Sequence, residues 1–289
     1  MRIGKAVLGS AAVLATVLGC GRSPGGEGGG RSKTLTLKGS DTMVILGQRW
    51  AEAYMKKTPG VSVQVTGGGS GTGIAALING GTDVCQASRP MKDKEREQAK
   101  ARHGKDVKEI PVALDGLAIY VHPSSPLRDI SLPQLKGIYT GKTRTWKELG
   151  GGDDRIVAYS RENNSGTYVF FKEHVLNNDD FAAEVQTLPG TAAIVNAVSK
   201  DTKSIGYGGI AFGSGVRAVP ARKDDASEPV AATLENVQSR KYPLARELYF
   251  YTLGEPAGEV KAFIDWVLSG AGQKVCEEVG YYPLPKGGQ

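Results

Sequence analysis

The sequence is poor in the residues that build cross-linked and zinc-bound scaffolds. It has only three cysteines and three histidines among 289 residues, and no two cysteines show the C-x-x-C spacing. These shortages exclude a disulfide-dense scaffold and the common structural zinc sites. Aromatic residues make up only 7% of the chain, and no basic block interleaved with aromatics is present. Nucleic acid is therefore not an expected partner.

The remaining composition is that of an ordinary folded protein that is rich in glycine. Charged residues make up 23% of the chain, and the 40 glycines follow no collagen-like period. A largely disordered chain is excluded, and the glycines are expected in turns and at helix ends. At about 100–200 residues per domain, the length allows one large domain or two smaller ones.

Only the N-terminal end of the sequence has an apolar run that approaches a membrane segment. Two positive charges precede the uncharged, mostly apolar stretch 6–18, which is typical of a secretory signal and short for a membrane-spanning helix. The stretch ends in Val17-Leu18-Gly19-Cys20, which resembles the bacterial lipobox. We therefore expect residues 1–19 to be removed and Cys20 to be lipidated; an ordinary secretory signal with an incidental cysteine is the alternative. The glycine-rich residues 20–33 predict a flexible tether.

From residue 34 onward, strand-like and helix-like apolar patterns alternate. Apolar residues recur at helical spacing between 43 and 54, and residues 61–65 alternate valine with polar residues, which predicts a strand. Two further apolar strands are predicted at 107–114 and 117–121, separated by Asp115 and Gly116. Alternation of this kind along the whole chain predicts an α/β fold with mostly parallel strands.

Three turns between a predicted strand and a predicted helix combine glycine with small hydroxyl residues. They are Gly39-Ser40-Asp41-Thr42, the run GGGSGTG at 67–73, and Asn164-Ser165-Gly166-Thr167. The first N–H groups of a helix have no intrahelical partner and mark its positive end, so such turns are suited to bind an anion. Helix capping alone is the alternative for any single turn. Two domains that closed on one ligand would bring the second and third turns together.

Two arginines stand near these turns, each at the end of a predicted strand. Arg161 precedes the third turn, and Arg89 follows the strand that ends near Ala87. The arginine side chain offers a planar fork of donors to an oxyanion, and ligands of open α/β sheets bind at the carboxyl ends of the strands. An ordinary surface arginine is the alternative for each.

The three turns and several later segments resemble the PstS-like phosphate-binding proteins, which are receptors of bacterial phosphate ABC transporters in the periplasmic binding protein superfamily. The segments that carry the resemblance are 39–42, 66–73, Ala87-Ser88-Arg89-Pro90, 138–149, Arg161 to Thr167, 205–207 and 263–281. The resemblance implies a periplasmic-binding-protein type II fold, in which two α/β domains are joined by a two-strand hinge with the ligand cleft between them. The implied boundaries are 34–114 and 209–289 for the first domain and 115–208 for the second.

The resemblance also implies which residues bind phosphate. Carried over by position, these residues are Ser40, Asp41, Thr42, Ser70, Arg161, Ser165, Gly166 and Thr167. In the best-known branch of the family, an Asp at the place of Arg89 accepts the phosphate proton. Here another carboxylate must accept it, and Asp115 is the first candidate because a charge between two apolar strands needs partners such as Arg89 or Arg161. Asp41 is the second candidate, and a purely structural turn is the alternative for Asp115.

The implied function is that of a monomeric extracytoplasmic receptor, not an enzyme, which captures inorganic phosphate and delivers it to a membrane ABC permease. The resemblance implies no cofactor and no metal. Three alternatives remain: a receptor for sulfate, molybdate or tungstate, a phosphate sensor, and a phosphatase or esterase with Ser70 or Ser165 as nucleophile. Cys85 and Cys276 form an even pair in an exported protein, so they are either a disulfide or two buried thiols.

Overall fold

The computed structural model describes residues 33–285, and its first strand begins at Lys33. The predicted signal sequence, the lipidation site at Cys20 and the tether up to residue 32 lie outside the described residues. Within the described part, strands and helices alternate as the apolar pattern predicts, with short 3₁₀ turns at Asp41–Met43, Trp146–Leu149 and Ile210–Phe212.

The described elements are numbered here in chain order. The strands are β1 Lys33–Gly39, β2 Val61–Thr66, β3 Val84–Ala87, β4 Val107–Val121, β5 Ile130–Ser131, β6 Val157–Arg161, β7 Gln186–Leu188, β8 Ser204–Gly209, β9 Arg217–Val219, β10 Ala221–Arg222 and β11 Ala245–Leu253. The helices are α1 Val44–Lys57, α2 Ser70–Ile78, α3 Asp93–His103, α4 Leu132–Tyr139, α5 Gly166–His174, α6 Gly190–Val198, α7 Leu234–Gln238, α8 Gly258–Leu268 and α9 Gly270–Val279.

Among residues 33–285, nine strands join in one sheet with the order β2-β1-β3-β11-β4-β8-β6-β7, and β9 also pairs with β4. The strands toward the two ends of the sheet are parallel, because β1 pairs with β2 and β3, and β6 pairs with β7 and β8. The pairs made by β4 and β11 at the centre are antiparallel. The parallel pairing expected from the sequence is therefore found on either side of an antiparallel centre.

Strand β4 connects the two halves of the sheet. Its residues up to Gly116 pair with β11, and those from Leu117 to Val121 pair with β8 and β9. The prediction of two separate strands was wrong, because Asp115 and Gly116 pair in register with Arg246 and Ala245 and keep the backbone extended. The long strands β4 and β11 are thus the two-strand hinge that the family resemblance implied.

Two main hydrophobic cores lie on either side of this hinge. The first joins α1, α8 and α9 to β1, β3 and β11, and includes Leu37, Trp50, Phe250 and Phe263. The second is built from buried residues between Leu114 and Leu244. We call residues 33–113 together with 246–281 lobe 1, and residues 117–244 lobe 2.

The C-terminal limit of lobe 2 differs from the domain boundary expected from the sequence. The sequence analysis returned the chain to the first domain at residue 209, whereas Val219, Ala221, Val237 and Leu244 are buried in the second core. These residues follow β8 and pack against the same cluster as Tyr207. We therefore propose that the second domain extends to Leu244, the residue before β11.

Cys85 and Cys276 are free thiols, so the disulfide considered from the sequence is not formed. Cys85 packs with residues of α2 and β11, and Cys276, a residue of α9, packs in the core of lobe 1. Burial raises the pKa of both thiols. Between residues 33 and 285, no helix combines the length and the hydropathy that crossing a bilayer requires.

Candidate anion-binding cleft

The three glycine and hydroxyl turns predicted from the sequence face one another across the cleft between the lobes. Lobe 1 contributes the turn after β1 and the first turn of α2, which begins at Ser70. Lobe 2 contributes the first turn of α5, which begins at Gly166 and is capped by Ser165. Helix α2 begins within the glycine-rich run at 67–73, because Gly69 adopts a φ of 89° and turns the chain directly into the helix.

Direct contacts join the two walls of the cleft. The hydroxyls of Thr42 and Thr167 are 2.9 Å apart, and the Gly71 N–H donates to the Asn164 carbonyl at 2.9 Å. The Asn164 side chain in turn donates to the Gly68 carbonyl at 3.0 Å. The described conformation is therefore a closed one, with the N-termini of α2 and α5 opposed.

The first turn of α5 lies directly against lobe 1. The Ser165 hydroxyl oxygen accepts from the N–H groups of Thr167 at 3.2 Å and Tyr168 at 3.4 Å, which caps the helix. A methyl group added at Gly166 would lie 2.7 Å from the Ser88 Oγ and would overlap the Ser70 Oγ. The backbone at Gly166 therefore approaches the two serines of lobe 1 as closely as glycine allows.

Arg161 is buried at the end of β6, with 1% of its surface exposed. Its Nη1 donates to the Thr191 hydroxyl at 2.9 Å, and its Nη2 donates to Asp41 Oδ2 at 2.8 Å. Its Nε is buried and has no partner. Burial lowers the pKa of the guanidinium, and Asp41 opposes that effect. Because an arginine keeps its charge in a protein, a buried N–H donor is left without an acceptor.

Asp115 is fully buried and is held by Arg246 rather than by Arg89 or Arg161. Its Oδ2 accepts from Arg246 Nε at 2.9 Å and Nη2 at 2.7 Å, and its Oδ1 accepts from the Ile210 N–H at 3.1 Å. Arg246 Nη1 also reaches the Ser88 carbonyl at 3.3 Å. A methyl group added at Gly209 would lie 3.2 Å from both Asp115 oxygens and 2.9 Å from Thr42 Cγ2, so the carboxylate lies beside Thr42.

Ser88, Thr191 and Arg246 belong to this arrangement, and the sequence analysis did not select them as ligand-binding residues. The Ser88 Oγ lies 3.3 Å from the Ser70 Oγ, and the Ser88 N–H donates to Ser70 at 3.1 Å. Ser88 stands next to Arg89 in the motif that carried the family resemblance. Arg246 had one signal, which is a positive charge just before the apolar run Leu248-Tyr249-Phe250-Tyr251.

Arg89 is the predicted residue that the structure does not bring into the cleft. Its two terminal nitrogens bind both oxygens of Glu95 at 2.7 and 2.9 Å, and Nη1 also donates to the Pro90 carbonyl. The side chain lines a cavity of about 280 Å³ on the hinge side, which Ser88 and Arg246 also line. Ser40 is buried in the first turn, where its N–H donates to the Gln86 carbonyl at 2.8 Å and its side chain forms no cap. The other eight predicted residues lie along the cleft.

Comparison with known proteins matches most of this chain to one superfamily. The profile of the PBP superfamily domain matches residues 25–271. Phosphate-binding protein PstS of Pseudomonas aeruginosa is 34% identical over 273 residues, which cover 89% of this chain and 84% of that protein. PstS of Staphylococcus epidermidis is 32% identical over 296 residues, which cover 98% of this chain and 89% of that protein.

Solved structures show the same architecture. A phosphate ABC transporter substrate-binding protein from Clostridium perfringens, solved with bound phosphate, superimposes with a TM-score of 0.80 at 32% sequence identity and covers 88% of this chain and 100% of that chain. An ABC-type phosphate transport receptor from Vibrio cholerae superimposes with a TM-score of 0.70 at 28% identity and covers 87% of this chain and 100% of that chain.

Proposed function

Because this chain belongs to the PstS family of phosphate-binding proteins within the PBP superfamily, we propose that it captures inorganic phosphate and delivers it to a membrane ABC permease. The observation that carries the proposal is the buried Arg161, whose Nε has no partner beside the opposed N-termini of α2 and α5. A buried donor of this kind is stabilised by an oxyanion acceptor, and the helix N-termini add N–H donors and a positive potential.

The hydroxyl groups of the cleft complete the donor set. The side chains of Ser70, Thr42 and Thr167 are fully or almost fully buried and are paired with other hydroxyls, so each can rotate its O–H toward an anion. The Ser165 oxygen accepts two backbone N–H groups, which leaves its own O–H free to donate. The proposed phosphate ligands are therefore these four hydroxyls, Arg161 and the backbone of Gly166.

Asp115 is the proposed acceptor of the proton that phosphate retains at neutral pH. Its Oδ1 receives one hydrogen bond, from the Ile210 N–H, and a carboxylate oxygen has room for a second. Sulfate has no proton to donate, so its oxygens would face a buried carboxylate without a hydrogen bond between them. Asp41 fits this role less well, because its side chain is 21% exposed, whereas Asp115 is fully buried and cannot turn to water instead.

We propose that the protein does no chemistry on the ligand. The two serines with the position of a nucleophile are Ser70 and Ser165, and their hydroxyls contact Ser88 and backbone N–H groups rather than a histidine or carboxylate that would act as base. Capture then consists of binding in an open cleft, closure at β4 and β11, and recognition of the closed form by the permease.

The proposed location is outside the cytoplasm, with the folded part held to the membrane by a lipid at Cys20 and acting as a monomer. The support for this part is the signal-like sequence before Cys20 and the glycine-rich segment after it. Replacing Cys20 by serine in the full chain is expected to move the protein from the membrane fraction to the soluble fraction. Retention of the C20S protein in the membrane fraction would contradict the lipid anchor.

The proposed function is tested by equilibrium dialysis of residues 32–289, which form one compact unit, against radiolabelled inorganic phosphate. One phosphate is expected to bind per chain, and Arg161→Gln is expected to weaken binding by at least about a hundredfold, since a charged hydrogen bond is lost in a buried site. Hydrolysis of a chromogenic phosphate ester is expected to stay at the buffer rate. Absence of phosphate binding to the wild-type chain, or steady ester hydrolysis, would contradict the proposal.

A further inference from the structure

Asp41 and Arg161 form an ion pair that crosses the cleft. Asp41 lies between β1 and α1 of lobe 1, whereas Arg161 ends β6 of lobe 2. One Asp41 oxygen accepts from the Gly68 N–H of its own lobe at 2.7 Å, and the other accepts from Arg161 Nη2 at 2.8 Å. The side chain of Arg161 is 1% exposed and that of Asp41 is 21% exposed.

We infer, on the basis of the proposed function, that Asp41 is a positioning residue that latches the closed cleft and slows phosphate release, without contacting phosphate itself. One of its oxygens accepts from the opposite arginine and the other accepts from Gly68. With Nη1 bound to Thr191 and Nη2 bound to Asp41, the guanidinium of Arg161 is fixed at both ends. Nε is the nitrogen of this guanidinium that has no partner, and Nη1 and Nη2 each keep a second N–H that can also face the anion.

The ion pair depends on closure because its members belong to different lobes. When the cleft opens, Arg161 keeps the Thr191 hydroxyl of lobe 2 and loses its carboxylate partner from lobe 1. Opening therefore separates a charge pair of which one member is almost fully buried, and it does so before phosphate can leave. A group that stabilises only the closed form shifts the equilibrium toward closure and lowers the rate of release.

The surroundings of Asp41 hold its carboxylate in this one position. A methyl group added at Gly67 would lie 2.6 Å from Asp41 Oδ1. Gly68, whose N–H binds the same oxygen, has a φ of 106° that favours glycine. The turn at 67–68 therefore fits closely around the carboxylate, and Gly67→Ala offers a way to displace it without changing any charge.

The chain also contains a matched control for this pair. Lys92 of lobe 1 and Glu173 of lobe 2 form a second ion pair across the cleft at 3.3 Å, with side chains that are 54% and 37% exposed. Exposed ion pairs contribute little to the stability of the contact, because water screens the charges and the side chains lose conformational freedom on pairing. Removing this pair tests whether the loss of any ion pair between the lobes is enough to change the rate of phosphate release.

The experiment measures phosphate association and release by stopped flow with residues 32–289, in the wild type, Asp41→Asn and Lys92→Gln. D41N is expected to release phosphate at least about tenfold faster, with an association rate within about threefold of the wild type, because a partly buried charged contact is lost only on opening. The preference for phosphate over sulfate and the unfolding midpoint of the phosphate-free protein are expected to stay unchanged. K92Q is expected to change the rate of phosphate release by less than about twofold.

Three results would overturn the inference. Release from D41N at the wild-type rate would show that the ion pair is no latch. A fall in the phosphate-to-sulfate preference of D41N would make Asp41 the proton acceptor. A fall in stability that accounts for the whole loss of affinity would make its role structural. If D41N does not fold, G67A takes its place with the same expectations for release and selectivity, while its unfolding midpoint is expected to fall because the added methyl also meets Val44 Cγ2 at 2.9 Å within lobe 1.

Failure of the proposed function is distinguishable from failure of the latch. If the wild-type chain does not bind phosphate, the proposed function fails and small-angle scattering of the phosphate-free chains still tests the latch. The D41N chain is then expected to show a larger radius of gyration than the wild type, because fewer molecules are closed. Equal radii would overturn the inference without reference to phosphate.

Discussion

Gly166, the first residue of α5, faces Ser70 of the opposite lobe so closely that a methyl group at Gly166 would overlap the serine hydroxyl. The same methyl would lie 2.7 Å from the Ser88 Oγ. The three residues are brought together only when the lobes close, since Ser70 and Ser88 belong to lobe 1. Closure therefore requires glycine at this position, and the requirement can be tested separately from folding.

Gly166→Ala is expected to weaken phosphate binding by about tenfold to a hundredfold, because the added methyl overpacks the closed cleft. The free energy of unfolding of the phosphate-free protein is expected to stay within about 0.5 kcal/mol of the wild type, since the open form avoids the clash. Calorimetric titration and urea unfolding measure the two quantities.

Gly270→Ala is the control, because Gly270 is also the first residue of a helix capped by a serine, Ser269, and an added methyl meets nothing within 4 Å. Unchanged phosphate affinity in G166A would contradict the closed geometry.

Asp115→Asn is expected to lower phosphate affinity and to narrow the preference for phosphate over sulfate by at least about tenfold, because the buried proton acceptor is lost. Titration of both anions into the wild type and the variant measures this preference. The substitution also leaves the Arg246 charge without its partner. The double variant Asp115→Asn with Arg246→Gln restores the charge balance and is expected to keep the narrowed preference while regaining stability. A D115N protein with wild-type affinity and selectivity would eliminate Asp115 as the acceptor.

Arg89→Gln is expected to change phosphate affinity by less than about threefold and to destabilise the fold by about 1.5–3 kcal/mol, because the lost bonds are charged bonds to Glu95 outside the cleft. Titration calorimetry and urea unfolding separate the two effects. Arg161→Gln, which removes the buried arginine of the cleft, is the contrasting variant. If R89Q lost affinity as R161Q does, Arg89 would belong to the binding site as the sequence analysis expected.

The ion pair between Arg89 and Glu95 also predicts how the stability of the protein depends on pH. Burial alone would raise the pKa of Glu95, but hydrogen bonds from the Arg89 side chain and the Lys92 N–H outweigh it and hold the pKa below its ordinary value of 4.5. A carboxyl whose pKa is lower in the folded state stabilises the protein above pH 4.5, and this contribution is lost as the pH falls through the folded-state value. The wild type is therefore expected to exceed Glu95→Gln in unfolding free energy above pH 4.5, and the difference is expected to shrink below it.

Urea unfolding of both proteins between pH 3 and pH 7 measures this difference. Glu52→Gln is the control, because Glu52 pairs with Arg49 on the exposed surface and its loss is expected to matter little at any pH. A constant difference between the wild type and E95Q down to pH 3 would show that Glu95 does not titrate against Arg89 in the folded protein.

Most of the fold follows from local apolar patterns, and the part that does not follow is the hinge. The alternation of strands and helices depends on residues within one element, so the sequence predicts it well. Asp115-Gly116 has the composition of a turn and was predicted to interrupt β4. Its extended backbone depends on pairing with Arg246, a residue 131 positions away whose register no local pattern reveals.

The residues of the candidate site likewise fall into those that the local sequence predicts and those whose role depends on distant pairing. The turns at Ser70 and Ser165 are predictable because glycine and hydroxyl residues at a helix start have a local physical meaning. Arg246 was missed because its relevance arises only from the register of β11 against β4. Arg89 stands at the place that the family resemblance favours, but Glu95 six residues later binds it and points it away from the cleft.

The most direct test of the account is a calorimetric titration of residues 32–289 with phosphate and then with sulfate, after bound phosphate has been removed by unfolding and refolding. Tight binding of one phosphate per chain with negligible heat from sulfate is the predicted result, because a buried carboxylate in the cleft accepts a proton that only phosphate carries. Sulfate binding as tight as phosphate binding, or no binding of either anion, would contradict the account.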